Sequence, residues 1–166
     1  ESNKIAYIIF TSGTTGDPKG VEISRKSLNH YVKWLKQSIK LKGNERFSQF
    51  PSIGFDLSVA DIYLSAVSSN QLAITSNELD NLFPGNFIKK NVINHLTCTP
   101  TLISLIESSK QLNKKYLKSL KSIFFCGEPL TFLSLRKIFQ ILPNITVYNT
   151  YGPTEATVSM TELILN

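Results

Sequence analysis

The stretch Thr11-Ser12-Gly13-Thr14-Thr15-Gly16-Asp17-Pro18-Lys19-Gly20 follows directly on the apolar run Ile5-Ala6-Tyr7-Ile8-Ile9-Phe10. Glycine lets a backbone approach a ligand closely and turn its N–H groups to one side. Hydroxyls add donors, and a lysine adds a mobile point charge. Together these are what a loop needs to hold a polyphosphate. Composition alone leaves an ordinary surface hairpin equally open, because Gly, Thr, Asp and Pro are common turn residues. The stretch differs from the common nucleotide loop, in which Gly-Lys-Ser/Thr leads into a helix. Here Pro18 precedes Lys19, Gly20 follows it, and Val21-Glu22-Ile23 alternates as a strand does. The spacing predicts a turn between two strands, with no helix dipole aimed at the ligand.

Outward from this loop, strand-like and helix-like segments alternate. Ser24 is placed to cap a helix carrying Leu28, Val32, Leu35 and Ile39 at helical spacing. Strands are expected at 47–51, 71–75, 93–98, 120–126, 145–149 and 157–165. Helices are expected at 57–67 and 130–142, over 77–90 with a break at Pro84-Gly85, and after Thr99, which caps a helix with Pro100 in its first position. Short apolar strands separated by helices imply an α/β fold: three layers, a mostly parallel sheet with helices on both faces, in one unit over 1–166. Ligands in such sheets bind beyond the carboxyl ends of the strands. The unusual clusters fall there: 11–20, 55–58, 126–128 and 149–155.

The 166 residues suffice for one domain with a core, and 42% hydrophobic with 18% charged residues is a globular composition. Eighteen Lys and Arg against twelve Asp and Glu give a net charge of +6. The cations are scattered on helix faces (Lys33, Lys36, Lys40) apart from a modest run at Lys114-Lys115 and Lys118–Lys121, which reads as solvated surface rather than a nucleic-acid site. Cys98 and Cys126 sit in apolar strands without paired spacing, and read as reduced thiols of a cytoplasmic protein. His30 and His95 form no metal motif. No run approaches the ~18 apolar residues of a membrane span. The start Glu1-Ser2-Asn3 carries no leader pattern and reads as that of an excised piece.

Three further runs carry chemistry. Gly54-Phe55-Asp56-Leu57-Ser58 puts a carboxylate before an apolar helix, where a simple N-cap would also account for it. Phe124-Phe125-Cys126-Gly127-Glu128 ends a strand, where Phe124 and Cys126 also serve as plain core. Asn149-Thr150-Tyr151-Gly152-Pro153-Thr154-Glu155 combines a flat aromatic, a hydroxyl and a carboxylate around a turn. With the glycine loop, these runs resemble the signatures of the adenylate-forming enzymes: acyl-CoA synthetases, luciferases and the adenylation domains that load amino acids onto carrier proteins. The Phe-Asp-x-Ser pattern resembles the amino-acid branch. Within it, Phe-Cys-Gly-Glu and Asn-Thr-Tyr-Gly-Pro-Thr-Glu-Ala-Thr-Val resemble the ligases that load D-alanine onto a carrier protein.

The resemblance implies ATP and Mg²⁺ as cofactors. Thr11, Ser12, Gly13, Thr14, Thr15, Gly16 and Lys19 would hold the β- and γ-phosphates. Tyr151 would stack on adenine, Asn149 would meet its amino edge, and Gly127, Glu128, Thr150 and Gly152 would complete the nucleotide wall. Thr154 would meet the α-phosphate and Glu155 would help hold Mg²⁺, making Lys19, Thr154 and Glu155 the catalytic set. Asp56 would take the ammonium of the amino acid, and Leu57, Ala60, Phe124, Cys126, Thr150 and Val158 would line its side-chain pocket. Ala60 departs from the bulkier residue expected in D-alanine enzymes, which enlarges that pocket. The implied partners are a small amino acid, D-alanine first, and a phosphopantetheinylated carrier protein serving teichoic acid D-alanylation, with no nucleic acid and no membrane insertion. A peptide-synthetase adenylation domain for another small amino acid, or an inert nucleotide-binding module, are the alternatives. The resemblance also implies that the chain is a central piece of the large domain, with a lysine-bearing C-terminal domain lying outside it.

Overall fold

The computed structural model describes residues 4–12, 16–39 and 41–166. Strands β1 (Ile5–Ser12) and β2 (Pro18–Ser24) pair antiparallel, with Phe10 opposite Gly20 and Thr11 opposite Lys19. They form a two-stranded sheet of their own, so the two strands expected on either side of the glycine-rich stretch are present. Helix α1 (Arg25–Ser38) starts where Ser24 accepts a hydrogen bond from the Ser27 N–H at 3.1 Å. Its apolar stripe of Leu28, Val32 and Leu35 is buried.

The remaining chain runs β3 (Arg46–Gln49), α2 (Leu57–Val67), β4 (Gln71–Ile74), α3 (Glu78–Leu82), α4 (Pro84–Asn91), β5 (His95–Cys98), α5 (Pro100–Ser108), α6 (Lys114–Leu117), β6 (Ser122–Phe125), α7 (Phe132–Ile141), β7 (Thr146–Tyr151), a single 3-10 turn (Thr154–Ala156) and β8 (Thr161–Leu165). The six-stranded sheet has the order β4-β3-β5-β6-β7-β8. All neighbours are parallel except β8, which pairs antiparallel with β7. The three-layer α/β architecture is therefore as the alternation implies.

Alternation along the central strands divides the core. Phe47, Phe124, Cys126 and Tyr148 point to the α1–α2 side, with Leu35, Ala60 and Leu64. Leu96, Ile123, Phe125 and Val147 point to the α4–α7 side, with Ile88, Ile106, Leu117 and Ile138. A strand buried on both faces reads as an unbroken apolar run, and all four residues of β6 are buried. Phe124 and Tyr148 stack at 4.3 Å between ring centroids, nearly parallel.

Several local expectations are corrected. Residues 157–160 were expected within the last strand, but Thr157 and Val158 have φ of 64° and 71°, and the strand starts only at Thr161. Thr99 stands at the N-cap of α5 without a side-chain capping bond. The cap comes from Glu128, whose carboxylate accepts from the Thr101 N–H at 3.0 Å and its hydroxyl at 2.6 Å. The short helix α6 lies within the basic run Lys114-Lys115 and Lys118–Lys121, where no element was expected. Lys40 falls outside the described residues, beyond the end of α1.

One polar tie crosses the α1–α2 layer. Asp61 on α2 is fully buried, and its Oδ1 accepts from the Thr97 hydroxyl on β5 at 2.5 Å. Its Oδ2 has no partner among the described residues. Burial pushes this carboxyl well above its ordinary 3.8, only partly countered by Thr97. As pH rises past 3.8 the unfolded chain ionises first, so Asp61 costs stability up to its folded value. Asp61→Asn keeps the Thr97 bond without that cost. Melting curves at successive pH values should show the variant gaining on the parent protein as pH rises from 4 to 8; an unchanged difference would mean that Asp61 is charged in the fold.

Candidate functional site

The topology fixes where a site can form. From β3 the chain crosses through α2 to β4 on one side, then returns through α3 and α4 to β5 on the other side of β3. Strand order thus reverses between β3 and β5, and a crevice opens beyond their carboxyl ends. A cleft of about 400 Å³ lies there, walled by Phe50 and Pro51 after β3, Cys98 and Thr99 after β5, Gly127 and Glu128 after β6, and Phe55, Asp56 and Leu57 at the start of α2.

Asp56 occupies the N-cap position of α2 but makes no side-chain capping bond, and its backbone is already helical. The simple cap therefore does not account for this carboxylate. Burial pushes its pKa up, the Thr154 hydroxyl and the Leu57 N–H draw it down, and the negative charge of Glu155 adds to the rise. These influences place Asp56 beside Thr154 and Glu155, almost a hundred residues later in the chain. Tyr7 of β1 faces the same point. Its hydroxyl is buried without a partner among the described residues, and burial, then Asp56, then Tyr63 push its pKa far up.

Thr154 and Glu155 stand on the 3-10 turn, which packs against β2. The turn is held by a folded-back loop. Met160 N–H donates to the Tyr151 carbonyl at 2.9 Å, and a side chain at Gly152 would lie 2.7 Å from the Ser159 Cα and 2.8 Å from the Val158 carbonyl. Val158 is β-branched with positive φ, an arrangement that costs of order 1–3 kcal/mol and persists only when its surroundings enforce it. Beneath the loop, the Ser159 hydroxyl donates to Thr150 Oγ1 at 3.1 Å, and Thr150 to the Phe125 carbonyl at 3.0 Å. Cys126 Sγ lies 3.7 Å from both the Val158 carbonyl and Ser159 Oγ. Glu155 also borders a second cleft of about 710 Å³, between this loop and Lys26, His30 and Trp34 of α1.

The remaining positions singled out in the sequence divide as follows. Leu57, Ala60, Phe124, Cys126, Thr150 and Val158 are all buried on the α1–α2 side of the sheet or at its rim. Asn149 and Tyr151 end β7, and the Tyr151 ring is exposed. Gly127 has φ +89°, a conformation suited to glycine. Glu128 is held at the start of α5, which draws its pKa down. Thr11, Ser12 and Lys19 lie on the hairpin and Gly16 (φ +96°) in its turn, whereas Gly13, Thr14 and Thr15 lie outside the described residues. Reading along the chain misses Phe50, Cys98, Thr99 and Leu102 as cleft walls. Their signal is position at the ends of β3 and β5, and it becomes usable only once strand order is known. Burial, with Asp61 and Glu128 nearby, raises the Cys98 thiol well above its ordinary value, so it lines the cleft as an apolar wall.

A doubly wound sheet whose strand order reverses over a cleft, with a hydroxyl- and glycine-rich hairpin and a two-carboxylate rim, defines the class as a three-layer α/β protein. The model of the AMP-binding enzyme family matches residues 1–165, and the chain belongs to that family. The D-alanine–D-alanyl carrier protein ligase of Staphylococcus epidermidis is 37% identical over 166 residues, covering 98% of this chain and 34% of the relative. That of Lacticaseibacillus casei is 37% identical, covering 96% of this chain and 32% of the relative. Among solved structures, the Vibrio cholerae adenylation domain AlmE, in complex with glycyl-adenosine-5'-phosphate, superposes with a TM-score of 0.93 at 34% identity, covering 99% of this chain and 31% of that one. IdnL7 superposes with a TM-score of 0.89 at 25% identity. The chain spans about a third of the length of the curated relatives it matches.

Proposed function

We propose that the protein to which this chain belongs activates a small amino acid with ATP as an aminoacyl adenylate and passes it to the phosphopantetheine thiol of a carrier protein. The observation that carries this reading is the uncapped, half-buried Asp56 at the mouth of the cleft, beside Thr154 and Glu155. A carboxylate in that place suits a substrate ammonium, which a fatty acid lacks. In this reading the present chain is the ATP- and amino-acid-binding part of a longer enzyme's large domain.

The substrate carboxylate attacks the α-phosphorus and pyrophosphate leaves. Because the attacking group is already anionic, the first step needs positioning and charge stabilisation rather than a general base. Asp56 orients the amino acid by its ammonium. The Thr154 hydroxyl donates to the α-phosphate as charge builds there. Lys19 and the hydroxyls of Thr11, Ser12, Thr14 and Thr15 hold the outgoing phosphates. Tyr151 offers its exposed ring to adenine, beside Asn149, Thr150 and Gly152, with Gly127 and Glu128 along the opposite wall. Among the described residues no group of three metal-ligating side chains occurs. A lone exposed Glu155 nevertheless fits Mg²⁺, which is commonly held by one or two carboxylates together with substrate phosphates and water. Bound there, the ion would neutralise phosphate charge.

D-alanine is the substrate we favour, on the relatives' names; Leu57, Ala60, Phe124, Cys126 and Val158, packed together below Asp56, are the residues we assign to its side chain. Glycine is the second reading, because the AlmE complex holds a glycyl adenylate and shares the fold so closely. Amino-acid-dependent pyrophosphate exchange with D-alanine, L-alanine, glycine and L-cysteine separates them; exchange with none of these would sink the proposal. Cys126 should set the hand of the substrate, since enantiomers differ only in where the methyl group points. One misplaced methyl is worth roughly 1–3 kcal/mol, so the D-over-L preference should be about ten- to two-hundredfold. Cys126→Ala should narrow that ratio mainly by admitting L-alanine. An unchanged ratio would transfer the choice of hand to other walls.

A further inference from the structure

Residues 83–127 contain seven lysines, one carboxylate (Glu107) and no arginine. The fold gathers these lysines. Helix α4 packs on α6, which brings Lys89 and Lys90 from the last turn of α4 beside Lys114, Lys115 and Lys118. Lys89 Nζ and Lys115 Nζ lie 5.8 and 5.3 Å from the centre of the same Tyr116 ring. Lys110 follows the end of α5 nearby. All six are exposed, and among the described residues none pairs with a carboxylate. Glu107 is neutralised by Lys137 of α7, and Lys121 by the buried Glu45. The acids of α3 lie at the other end of α4, where Asp80 accepts from Ser76.

The form of this patch indicates its partner. Lysine ammonium groups are hydrated point charges without the planar fork that arginine offers to an individual carboxylate or phosphate. Tyr116 is half-buried and flanked by lysines, so no aromatic anchor stands out for a protein partner to bury. The patch flanks the amino ends of β5 and β6, where Lys121 N–H donates to the Asn94 carbonyl, so it is at the opposite edge of the sheet from the cleft. A partner that delivers a group to the cleft would be poorly placed here, whereas a charged sheet of headgroups would leave the cleft open. We propose that the α4–α6 face adsorbs the protein onto an anionic phospholipid surface, by charge and without insertion.

Sedimentation of the purified protein with vesicles tests this. It should pellet with phosphatidylcholine–phosphatidylglycerol vesicles and not with phosphatidylcholine alone. The binding should vanish in ~1 M salt, where the Debye length falls to about 3 Å. A triple variant (Lys89→Glu, Lys115→Glu, Lys118→Glu) should lose about a hundredfold in vesicle partition, with melting temperature and adenylation unchanged. Equal pelleting with both vesicle types overturns the proposal, as does a triple variant that binds like the parent. Capture by immobilised polyglutamate without any binding to anionic vesicles also overturns it, and makes the patch a site for an acidic polypeptide.

Discussion

Asp56→Ala is expected to raise the KM for the amino acid and to lower kcat/KM about ten- to over a hundredfold, leaving ATP affinity nearly unchanged. The magnitude is that of one charge-assisted hydrogen bond, roughly 1.5–3 kcal/mol. The structure sharpens this expectation, because the Asp56 side chain makes no N-cap hydrogen bond to α2 and feels only the adjacent Leu57 N–H there, so the variant should melt close to the parent protein. Burial raises the Asp56 carboxyl above 3.8. The ionised form that takes an ammonium should therefore be lost on acidification before an exposed aspartate would protonate, and the amino-acid KM should climb first. Steady-state kinetics beside a melting curve decides the matter. A lower melting temperature with unchanged amino-acid KM would reduce Asp56 to a structural residue.

The second large effect is expected at Gly152. An alanine there would place its Cβ 2.7 Å from the Ser159 Cα, 2.8 Å from the Val158 carbonyl and 2.9 Å from the Met160 N. All three are backbone atoms, so no side chain can swing aside and the loop itself must move. Overpacking of this kind costs about 1–3 kcal/mol in stability. The loss of activity should exceed that, because the displaced loop carries Thr154 and Glu155. A shift of about 1 Å in positioning groups can cost about a hundredfold in rate. Thermal melts and pyrophosphate exchange on Gly152→Ala measure both. A variant with parental kinetics would show that the tight crossing at Gly152 does not position the turn. Gly127 differs: its φ of +89° calls for glycine, but the nearest atom to an added Cβ is 3.6 Å away, so the backbone rather than space is the constraint.

The elements readable in the sequence are those set by local chemistry. Ser24 caps α1 because its hydroxyl reaches an N–H three residues on. Pro84 opens α4, as a residue without a free N–H does at a helix start. Strand β6 is legible because Ile123, Phe124 and Phe125 form an unbroken apolar run, as a strand buried on both faces does. Failures come where a residue's partner is distant in sequence. Thr99 looks like a cap, yet the carboxylate that caps α5 comes from Glu128. Thr157 and Val158 look like strand residues, yet packing behind Gly152 bends them into the left-handed region.

The site divides along the same line. Periodicity and turn chemistry in the sequence set the hairpin Ile5–Ser12 and Pro18–Ser24, the alternating α/β layers, and the placing of Asp56, Cys126 and Tyr151 at the ends of elements. Those signals depend on neighbours a few residues apart, which share one helix face or one strand side whatever the rest of the chain does. Strand order depends on which long crossovers pack best, and no local pattern encodes it. Only the tertiary structure reverses the order between β3 and β5, opens the cleft there, turns Phe50, Cys98 and Thr99 into its walls, and carries Thr154 and Glu155 to within electrostatic reach of Asp56.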